Sequence, residues 1–267
     1  MAFSALDTAQ NARNLIPCLK DKQIAAIGRY YTARRINPKI LTAAEARRLS
    51  DAGIKIWPVY QNRHRFEADF SSAKGRREAR DALDYAKNVI RQPQGSAIYF
   101  SADFDATQAE FDRAILPHFR AIAATFAAAG NPYRIGVYGS GAVCQGLLDA
   151  GIVKLTWLSQ SGGFRGTRAF KASRRWNILQ ALPLANFCNF RDEIDPDEIN
   201  GNAGDFGGFL LPASTPTSAI GAEVAVVPAA RTPKRKIAAK ARKEPKKAPA
   251  KARARPKAAA KRKKKLA

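Results

Sequence analysis

The sequence predicts an α/β fold, a (β/α)8 TIM barrel, and three observations carry that prediction. Strand-like and helix-like segments alternate over roughly the first 210 residues, a pattern typical of parallel strands joined by right-handed crossovers. Eight candidate strands occur in that span, the number that such a barrel needs. One of them, AIYFSADFD at 97–105, opens with an apolar run that suits a strand covered by helices on both faces. A doubly wound open sheet is the alternative.

Helix signals separate the first four strands. Thr42 can bond the backbone N–H of Glu45, and Glu45 can reach back, which makes a capping box at the start of one helix. Gly53 ends that helix. Apolar residues recur at helical spacing in the longest helix of this half, which is therefore amphipathic. The predicted strands are 3–8, 24–31, 54–61 and 97–105, and the predicted helices are 11–20, 42–52 and 71–90.

The second half of the chain continues the alternation. A long helix follows the fourth strand, with Pro117 as its predicted bend. Gly151 stops a shorter helix. A polar, Gly-containing stretch near residue 165 reads as a loop with some helix. The predicted strands are 133–139, 155–160, 176–182 and 194–199, the last being either a short strand or a turn, and the predicted helices are 107–129 and 142–150.

Positive charge is concentrated at the C-terminal end. Residues 231–267 hold 18 Lys and Arg and one acid, a net of +17 out of +24 for the whole chain. Lys, Arg, Ala and Pro leave nothing to bury, so we expect a disordered tail there, after a barrel domain at 1–212 and a linker at 213–230. The tail could bind a polyanion, either nucleic acid or an acidic envelope polymer, or could only keep the protein in solution.

Cysteine usage and the N-terminus bear on the compartment. Cys18, Cys144 and Cys188 are odd in number and lack CxxC spacing, which argues against a disulfide framework or a zinc site and favours free thiols. No signal peptide and no apolar run long enough to span a bilayer are seen. We therefore expect cytoplasmic residence by default, with signal-independent release or export left open. No nucleotide motif occurs, and neither a cofactor nor a metal is expected.

Acidic side chains follow predicted strand ends, where barrels of this kind place their active sites. Asp7 ends the first strand, and Asp103 and Asp105 end the fourth, where alternation would direct both to one face. Adjacent carboxylates repel, so stability alone does not explain the pair. Capping of the next helix, by Asp105 or Thr107, is the alternative explanation for one of the two acids. A raised-pKa acid with a second carboxylate is what glycoside hydrolysis needs.

Aromatic and polar residues flank these acids and are the candidates for substrate binding. Sugars present C–H faces that pack on aromatic rings, and hydroxyls that need amide and carboxylate partners. The tryptophans are, however, more often core residues than sugar platforms, and His64 and His118 are isolated and receive no role. The candidates for substrate contact are Arg29, Tyr31, Tyr60, Gln61, Tyr138, Trp157, Gln160 and Asp195.

Several ordered motifs resemble those of one bacterial family. LDTAQ, AIGRYY, LTAAEARRLSDAGIKIWPVYQ, AIYFSADFD, YRIGVYGS and LTWLSQ, between residues 3 and 211, resemble the family of unknown function 1906, whose glycoside-hydrolase-like barrels are related to family 25 lysozymes. The resemblance implies a peptidoglycan or other polysaccharide substrate. It also implies that Asp7 and Asp103 match two of the relatives' acids. Asp105 stands where those relatives have a proton-donating glutamate, a departure because Asp reaches less far. Their late aspartate corresponds to Asp195 or Asp197.

Two classes of function follow from these observations. The first is a glycosidase in which Asp105 is the general acid, with Asp103 and Asp7 orienting the sugar or stabilising positive charge. The second is a non-catalytic module that binds a glycan or a polyanion, with the basic tail holding it at a surface. Association with chromatin or a nucleoid through the tail alone is a weaker third alternative. The oligomeric state is left open.

Overall fold

The computed structural model describes residues 3–213, and within them eight strands close into a barrel in chain order. The predicted α/β barrel is confirmed, and the open-sheet alternative is wrong. The predicted linker and tail lie outside the described residues. The strands are β1 (Ala5–Asp7), β2 (Ala26–Tyr31), β3 (Lys55–Tyr60), β4 (Ala97–Ala102), β5 (Arg134–Gly139), β6 (Leu155–Leu158), β7 (Ile178–Gln180) and β8 (Asp195–Ile199).

Helices cover the outside of the barrel. A π-helical turn, Tyr85–Ile90, extends the third helix, and a second, Phe111–Ile115, joins the fourth helix to the fifth. Pro117 lies in the first turn of the fifth helix, where a missing N–H costs little. The helices are α1 (Ile16–Asp21), α2 (Ala43–Asp51), α3 (Ser72–Asp84), α4 (Gln108–Glu110), α5 (Leu116–Ala128), α6 (Gly141–Asp149) and α7 (Thr167–Ser173).

The last strand departs from the predicted parallel sheet. β8 pairs antiparallel with both β7 and β1. A parallel return would need a crossover, usually a helix, whereas the chain between β7 and β8 folds back on itself through a bridge between Leu184 and Ile194. The reversal has a consequence for the site. Asp195, the first residue of β8, pairs with Asp7, the last residue of β1, at the same rim.

Three aromatic side chains fill the barrel interior. Trp57 and Tyr99 each contact Trp157 edge-on, with ring centroids 5.8 and 6.2 Å apart. Phe206, from the segment after β8, packs on Trp57 and accepts a hydrogen bond from the Tyr99 hydroxyl through its carbonyl oxygen. Alanines on β1, β2 and β4 make room for these rings. The interior is therefore a packed core that leaves the rim at the carboxyl ends of the parallel strands for polar groups.

Cys18 and Cys188 form a disulfide, with Cα atoms 5.6 Å apart. The expectation of free thiols is therefore wrong for two of the three cysteines, and only Cys144 is a free thiol, buried in the core. The odd count misled because a single bridge leaves one cysteine over. The bridge links α1 to the segment before β8, across 170 residues of chain. It therefore joins the region that follows the first strand to the region that precedes the last one.

Candidate active site

A cavity of about 250 Å³ opens at the carboxyl ends of the parallel strands. Its lining is almost entirely polar or aromatic, unlike the apolar pockets that suit drug-like ligands. Hydroxyl, amide, carboxylate and guanidinium groups all face it, a combination that can bind a polyhydroxylated ligand. The lining residues are Tyr30, Val59, Gln61, Arg65, Ser101, Asp103, Tyr138, Trp157, Gln160, Ser161, Gln180 and Asp195.

Asp7 lies directly behind this lining and is 1 % exposed. Its carboxylate accepts hydrogen bonds from the Tyr30 hydroxyl at 3.0 Å and from the Gln180 amide at 2.7 Å. Burial, reinforced by the nearby charge of Asp195, raises the pKa of Asp7 to about 7. Asp7 is therefore linked to the cavity through two residues that line it, and its carboxyl group can hold a proton near neutral pH.

β8 contributes two further acids to the same region. Asp195 and Asp197 are two residues apart on the strand and so face the same side of it. Burial raises the pKa of Asp195, which is half-buried at the cavity wall, to about 6. Burial and the proximity of Asp7 raise the pKa of Asp197, which accepts a hydrogen bond from the Trp157 indole at 2.8 Å. Three carboxyl groups thus share one side of the rim.

Asp103 reaches the cavity from β4 and has a different environment. Its carboxylate lies 4.0 Å from the Arg65 guanidinium, and its backbone N–H donates to the carbonyl oxygen of His64 at 2.8 Å. Burial raises the pKa of Asp103, while the positive charges of Arg65 and Lys39 act against that rise. Asp103 is the acid of this cavity that has cations beside it, so it is the one best placed to remain ionised.

Asp105 is not among the cavity-lining residues. Its carboxylate accepts hydrogen bonds from the backbone N–H and the guanidinium of Arg165, both at 2.7 Å. The prediction that Asp103 and Asp105 share a face is wrong because β4 ends at Ala102, so strand alternation no longer governs the residues after it. Nor does Asp105 cap the next helix. Thr107 does so, in a capping box with Glu110.

The predicted substrate-binding residues divide into two groups. Gln61, Tyr138, Trp157, Gln160 and Asp195 line the cavity together. The other three lie on the outer face of the barrel, beneath the helices, where they cannot touch a ligand in the cavity. These are Arg29, which pairs with Glu45 at 2.8 Å, Tyr31, which donates to Gln92 at 2.8 Å, and Tyr60, which donates to Asp81 at 2.8 Å.

Other cavity residues were not among the predicted site residues. Tyr30 and Gln180 line the cavity and bind Asp7, and Arg65 lies beside Asp103. Lys39 donates to Gln61 at 3.0 Å, over the Tyr30 ring. Tyr30 and Gln180 are strand residues. The alternation of side chains along a strand would have predicted them once the inward-facing positions were known. Lys39 and Arg65 come from loops, for which the sequence carries no such signal.

One group of described residues could hold a metal ion. The ligand atoms of His64, Glu78 and His118 all lie within 4.8 Å of one another, in the interior. The expectation that the two histidines are isolated is therefore wrong, since the fold brings them to a common carboxylate. None of these three residues lines the cavity. They lie behind its wall, where His64 Nδ1 contacts the hydroxyl of the cavity residue Ser101 at 2.8 Å.

Comparison with known proteins identifies the family. A model described as "Rv2525c-like, glycoside hydrolase-like domain" matches residues 17–190, more than half of the chain. The chain belongs to this family. The predicted resemblance to glycoside-hydrolase-like barrels is thereby confirmed. The Rv2525c-like match ends before β8, so the strand that carries Asp195 and Asp197 is described by the structure alone.

Two relatives come from Bacillus subtilis (strain 168), and both are uncharacterized proteins. YbfG is 31% identical over 184 residues, which are 65% of this chain and 24% of YbfG. FadG is 28% identical over 190 residues, which are 68% of this chain and 32% of FadG. The chain thus spans about a quarter to a third of the length of these relatives.

Solved structures share the fold at low identity. The Mycobacterium tuberculosis Tat-secreted protein Rv2525c, in complex with L-tartrate, has a TM-score of 0.61 and 19% identity, over 78% of this chain and 99% of that chain. The catalytic domain of endolysin ply40, from bacteriophage P40 of Listeria monocytogenes, has a TM-score of 0.52 and 15% identity, over 76% and 95%. At these identities the likeness shows a common glycoside hydrolase-like barrel.

None of the helices within residues 3–213 combines the length and the apolar character needed to cross a bilayer.

Proposed function

We propose that this chain is a glycoside hydrolase that cleaves bacterial cell-wall peptidoglycan or a related polysaccharide by carboxylate acid/base catalysis. The observation that carries the proposal is that Asp103 and Asp195 line one polar cavity, with Asp7 behind it. Membership of a glycoside hydrolase-like family supports the reaction class. The fold shared with an endolysin catalytic domain supports the substrate class.

Asp195 is the proposed general acid. A proton donor works best when its pKa is close to the working pH, and burial brings the pKa of Asp195 to about 6. Asp195 also lines the cavity, so it can reach the oxygen of a glycosidic bond there. Asp7 acts as a positioning residue, since its partners Tyr30 and Gln180 are themselves cavity walls.

Asp103 is the proposed second carboxylate. Arg65 and Lys39 place positive charge beside its carboxylate and oppose the rise in its pKa that burial causes. An ionised carboxylate is what a base, a nucleophile or a stabiliser of an oxocarbenium-like transition state requires. Tyr138 offers an aromatic ring to a sugar at the same cavity, with the buried Trp157 packed against it. Gln61 and Gln160 offer amides to the hydroxyls of the sugar. The distance between the two reacting carboxyl groups decides between retention and inversion.

For Asp105, we propose a structural role in place of the proton donation that the resemblance implies. Its two hydrogen bonds with Arg165 hold the loop after β6 against the loop after β4. Both oxygens of this carboxylate accept N–H groups of Arg165, and Asp105 does not line the cavity, so it is not placed to reach a glycosidic oxygen there.

Hydrolysis is tested with the purified full chain and insoluble peptidoglycan. The wild type should release reducing ends, whereas Asp195→Asn and Asp103→Asn should each lose about 10²–10⁴-fold in rate while still sedimenting with the glycan. Failure of the wild type to release reducing ends would contradict the proposed hydrolase.

A non-catalytic glycan-binding module is the second candidate. It is favoured by one observation: Asp105, which the resemblance places where the family 25 lysozymes have their proton donor, is engaged by Arg165. A wild type that sediments with peptidoglycan but releases nothing would establish this alternative. A wild type that neither binds nor cleaves would reject both.

We also propose that the protein works in an oxidising compartment, outside the cytoplasm. The Cys18–Cys188 bridge supports this, because disulfides are rare in reducing compartments. The related Rv2525c is a Tat-secreted protein. Thiol labelling of protein taken directly from the producing cell is the test. One reactive thiol per chain after denaturation is expected, and three would contradict the proposal.

Polyanion binding by residues 231–267 stays a prediction, because that tail lies outside the described residues. A chain truncated after residue 230 should lose binding to nucleic acid and to acidic envelope polymer at low salt. Undiminished binding by the truncated chain would reject a role for the tail.

A further inference from the structure

We propose that His64, Glu78 and His118 form a binding site for one divalent transition-metal ion of the zinc class. The three side chains come from the loop after β3, from α3 and from α5, so an ion there would tie three elements together. This site is independent of the hydrolase proposal, since none of its three ligands lines the active-site cavity.

The distances fit a common ion. One carboxylate oxygen of Glu78, Oε2, lies 3.0 Å from His64 Nε2 and 3.3 Å from His118 Nε2. Zinc binds nitrogen and oxygen ligands at about 2.0–2.2 Å, so two ligands of one tetrahedral ion are about 3.3 Å apart. Both separations are close to that value. Two imidazoles and one carboxylate are also a ligand set that zinc uses in proteins.

One ring nitrogen of His118 lies beside Glu78 without a hydrogen bond. Its Nδ1 is held by the backbone of Ser71, with the carbonyl oxygen at 3.1 Å and the amide nitrogen at 3.4 Å. Its Nε2 is buried and has no hydrogen-bond partner among the described residues, yet it lies 3.3 Å from a carboxylate oxygen of Glu78. A metal ion between these two atoms would bind both.

The surroundings of the other two ligands agree with that reading. His64 Nδ1 contacts the Ser101 hydroxyl at 2.8 Å, and the second oxygen of Glu78 accepts from the Asn62 amide at 3.3 Å. Such outer contacts fix the ring orientation of metal-binding histidines.

The site would hold one wall of the active-site cavity in place. His64 has a left-handed backbone, with φ of 55°, a conformation that is uncommon for residues other than glycine. Its carbonyl oxygen receives the N–H of Asp103 at 2.8 Å, and the next residue, Arg65, faces the Asp103 carboxylate. Metal at His64 would therefore fix the loop that orients Asp103.

The test uses the full chain without a histidine tag, stripped with a chelator and then loaded with Zn²⁺ or Co²⁺. Equilibrium dialysis should give one Zn²⁺ per chain, and zinc should raise the melting temperature, since it binds the folded state. The chain has only two histidines. Proton NMR of the Co²⁺ form should therefore show two hyperfine-shifted imidazole N–H signals, one from each ring.

Variants separate this site from the acids of the cavity. Glu78→Gln and His118→Gln should each weaken zinc binding at least 10-fold, whereas the matched control Asp195→Asn should bind as the wild type does. A wild type that takes up no stoichiometric zinc, or a Co²⁺ form without shifted imidazole signals, would overturn the proposal whatever the variants do. Zinc binding lost in Asp195→Asn would overturn it too.

Discussion

At the scale of single residues, the notable feature is a group of acids kept away from water. Asp7 and Asp197 are each 1 % exposed, and neither has a cation within ion-pair distance among the described residues. Burial of an unpaired carboxylate is costly, and the usual response is to take up a proton. The raised pKa values at this rim are therefore a direct consequence of where β1 and β8 place their side chains.

This arrangement predicts how stability depends on pH. The pKa of Asp7 is raised in the folded state from its ordinary value of 3.8 to about 7, so the folded protein favours the neutral carboxyl group. Its stabilising contribution is complete below about pH 4 and is lost as the pH rises through 7. Relative to the wild type, Asp7→Asn should gain on the order of 2–4 kcal/mol in the free energy of unfolding between pH 4 and pH 8.

Urea unfolding of both proteins across that range measures the effect. Asp192→Asn, a change at an exposed side chain, is the control and should show no such trend against the wild type. A difference between Asp7→Asn and the wild type that stays constant with pH would mean that Asp7 is ionised in the folded protein throughout.

At the scale of elements, strand alternation explains both the successes and the errors at the site. Hydrophobic patterning could predict the strands, since apolar and β-branched residues recur between helix caps. It could not say which side of each strand faces the barrel interior, because both sides are buried in such a fold. Tyr31 and Tyr60, both predicted to contact substrate, face outward. The inward positions beside them are Tyr30, which was not predicted, and Gln61, which was.

Elements that depend on distant partners were also beyond sequence reasoning. The antiparallel direction of β8 follows from the absence of a helix in the described chain between β7 and β8, a subtle signal in a weakly patterned stretch. His64 and His118 are 54 residues apart and meet only because α3 and α5 pack together. These two helices approach each other closely at Gly75, where a Cβ would lie 2.3 Å from the carbonyl oxygen of His118. The sequence around Gly75 does not reveal this approach.

Close packing between β2 and the interior gives a prediction for one glycine. A Cβ on Gly28 would lie 2.7 Å from Asp7 Cβ and 2.8 Å from the Trp57 ring. Gly28→Ala should therefore cost about 1–3 kcal/mol of stability, the usual range for overpacking a core. Chemical denaturation measures it.

Gly163→Ala is the matched control for that substitution, because nothing lies within 4 Å of a Cβ built at Gly163. Its stability should stay within about 0.5 kcal/mol of the wild type. Equal stability of Gly28→Ala and Gly163→Ala would show that the strand can shift to admit a methyl group.

At the scale of the whole molecule, closure of the barrel is reinforced covalently. The Cys18–Cys188 bridge spans 170 residues, nearly the whole barrel, and a cross-link over so long a loop restricts the unfolded chain strongly. Cys18→Ser should therefore lower the free energy of unfolding by about 2–5 kcal/mol.

Reductant provides the internal control for the bridge. It should lower the melting temperature of the wild type towards that of Cys18→Ser, and should leave the variant unchanged. A wild type whose melting temperature does not respond to reductant, once its thiols are shown to be free, would contradict a stabilising role for the bridge.

The central claim is that the chemistry belongs to the acids of the cavity, Asp195 above all, and not to Asp105. The most direct measurement is a side-by-side determination of kcat/KM for peptidoglycan hydrolysis by the wild type, Asp195→Asn and Asp105→Asn, each shown to be folded by circular dichroism. We predict a loss of about 10²–10⁴-fold for Asp195→Asn and less than about 10-fold for Asp105→Asn. A large loss in Asp105→Asn with full activity in Asp195→Asn would contradict the claim.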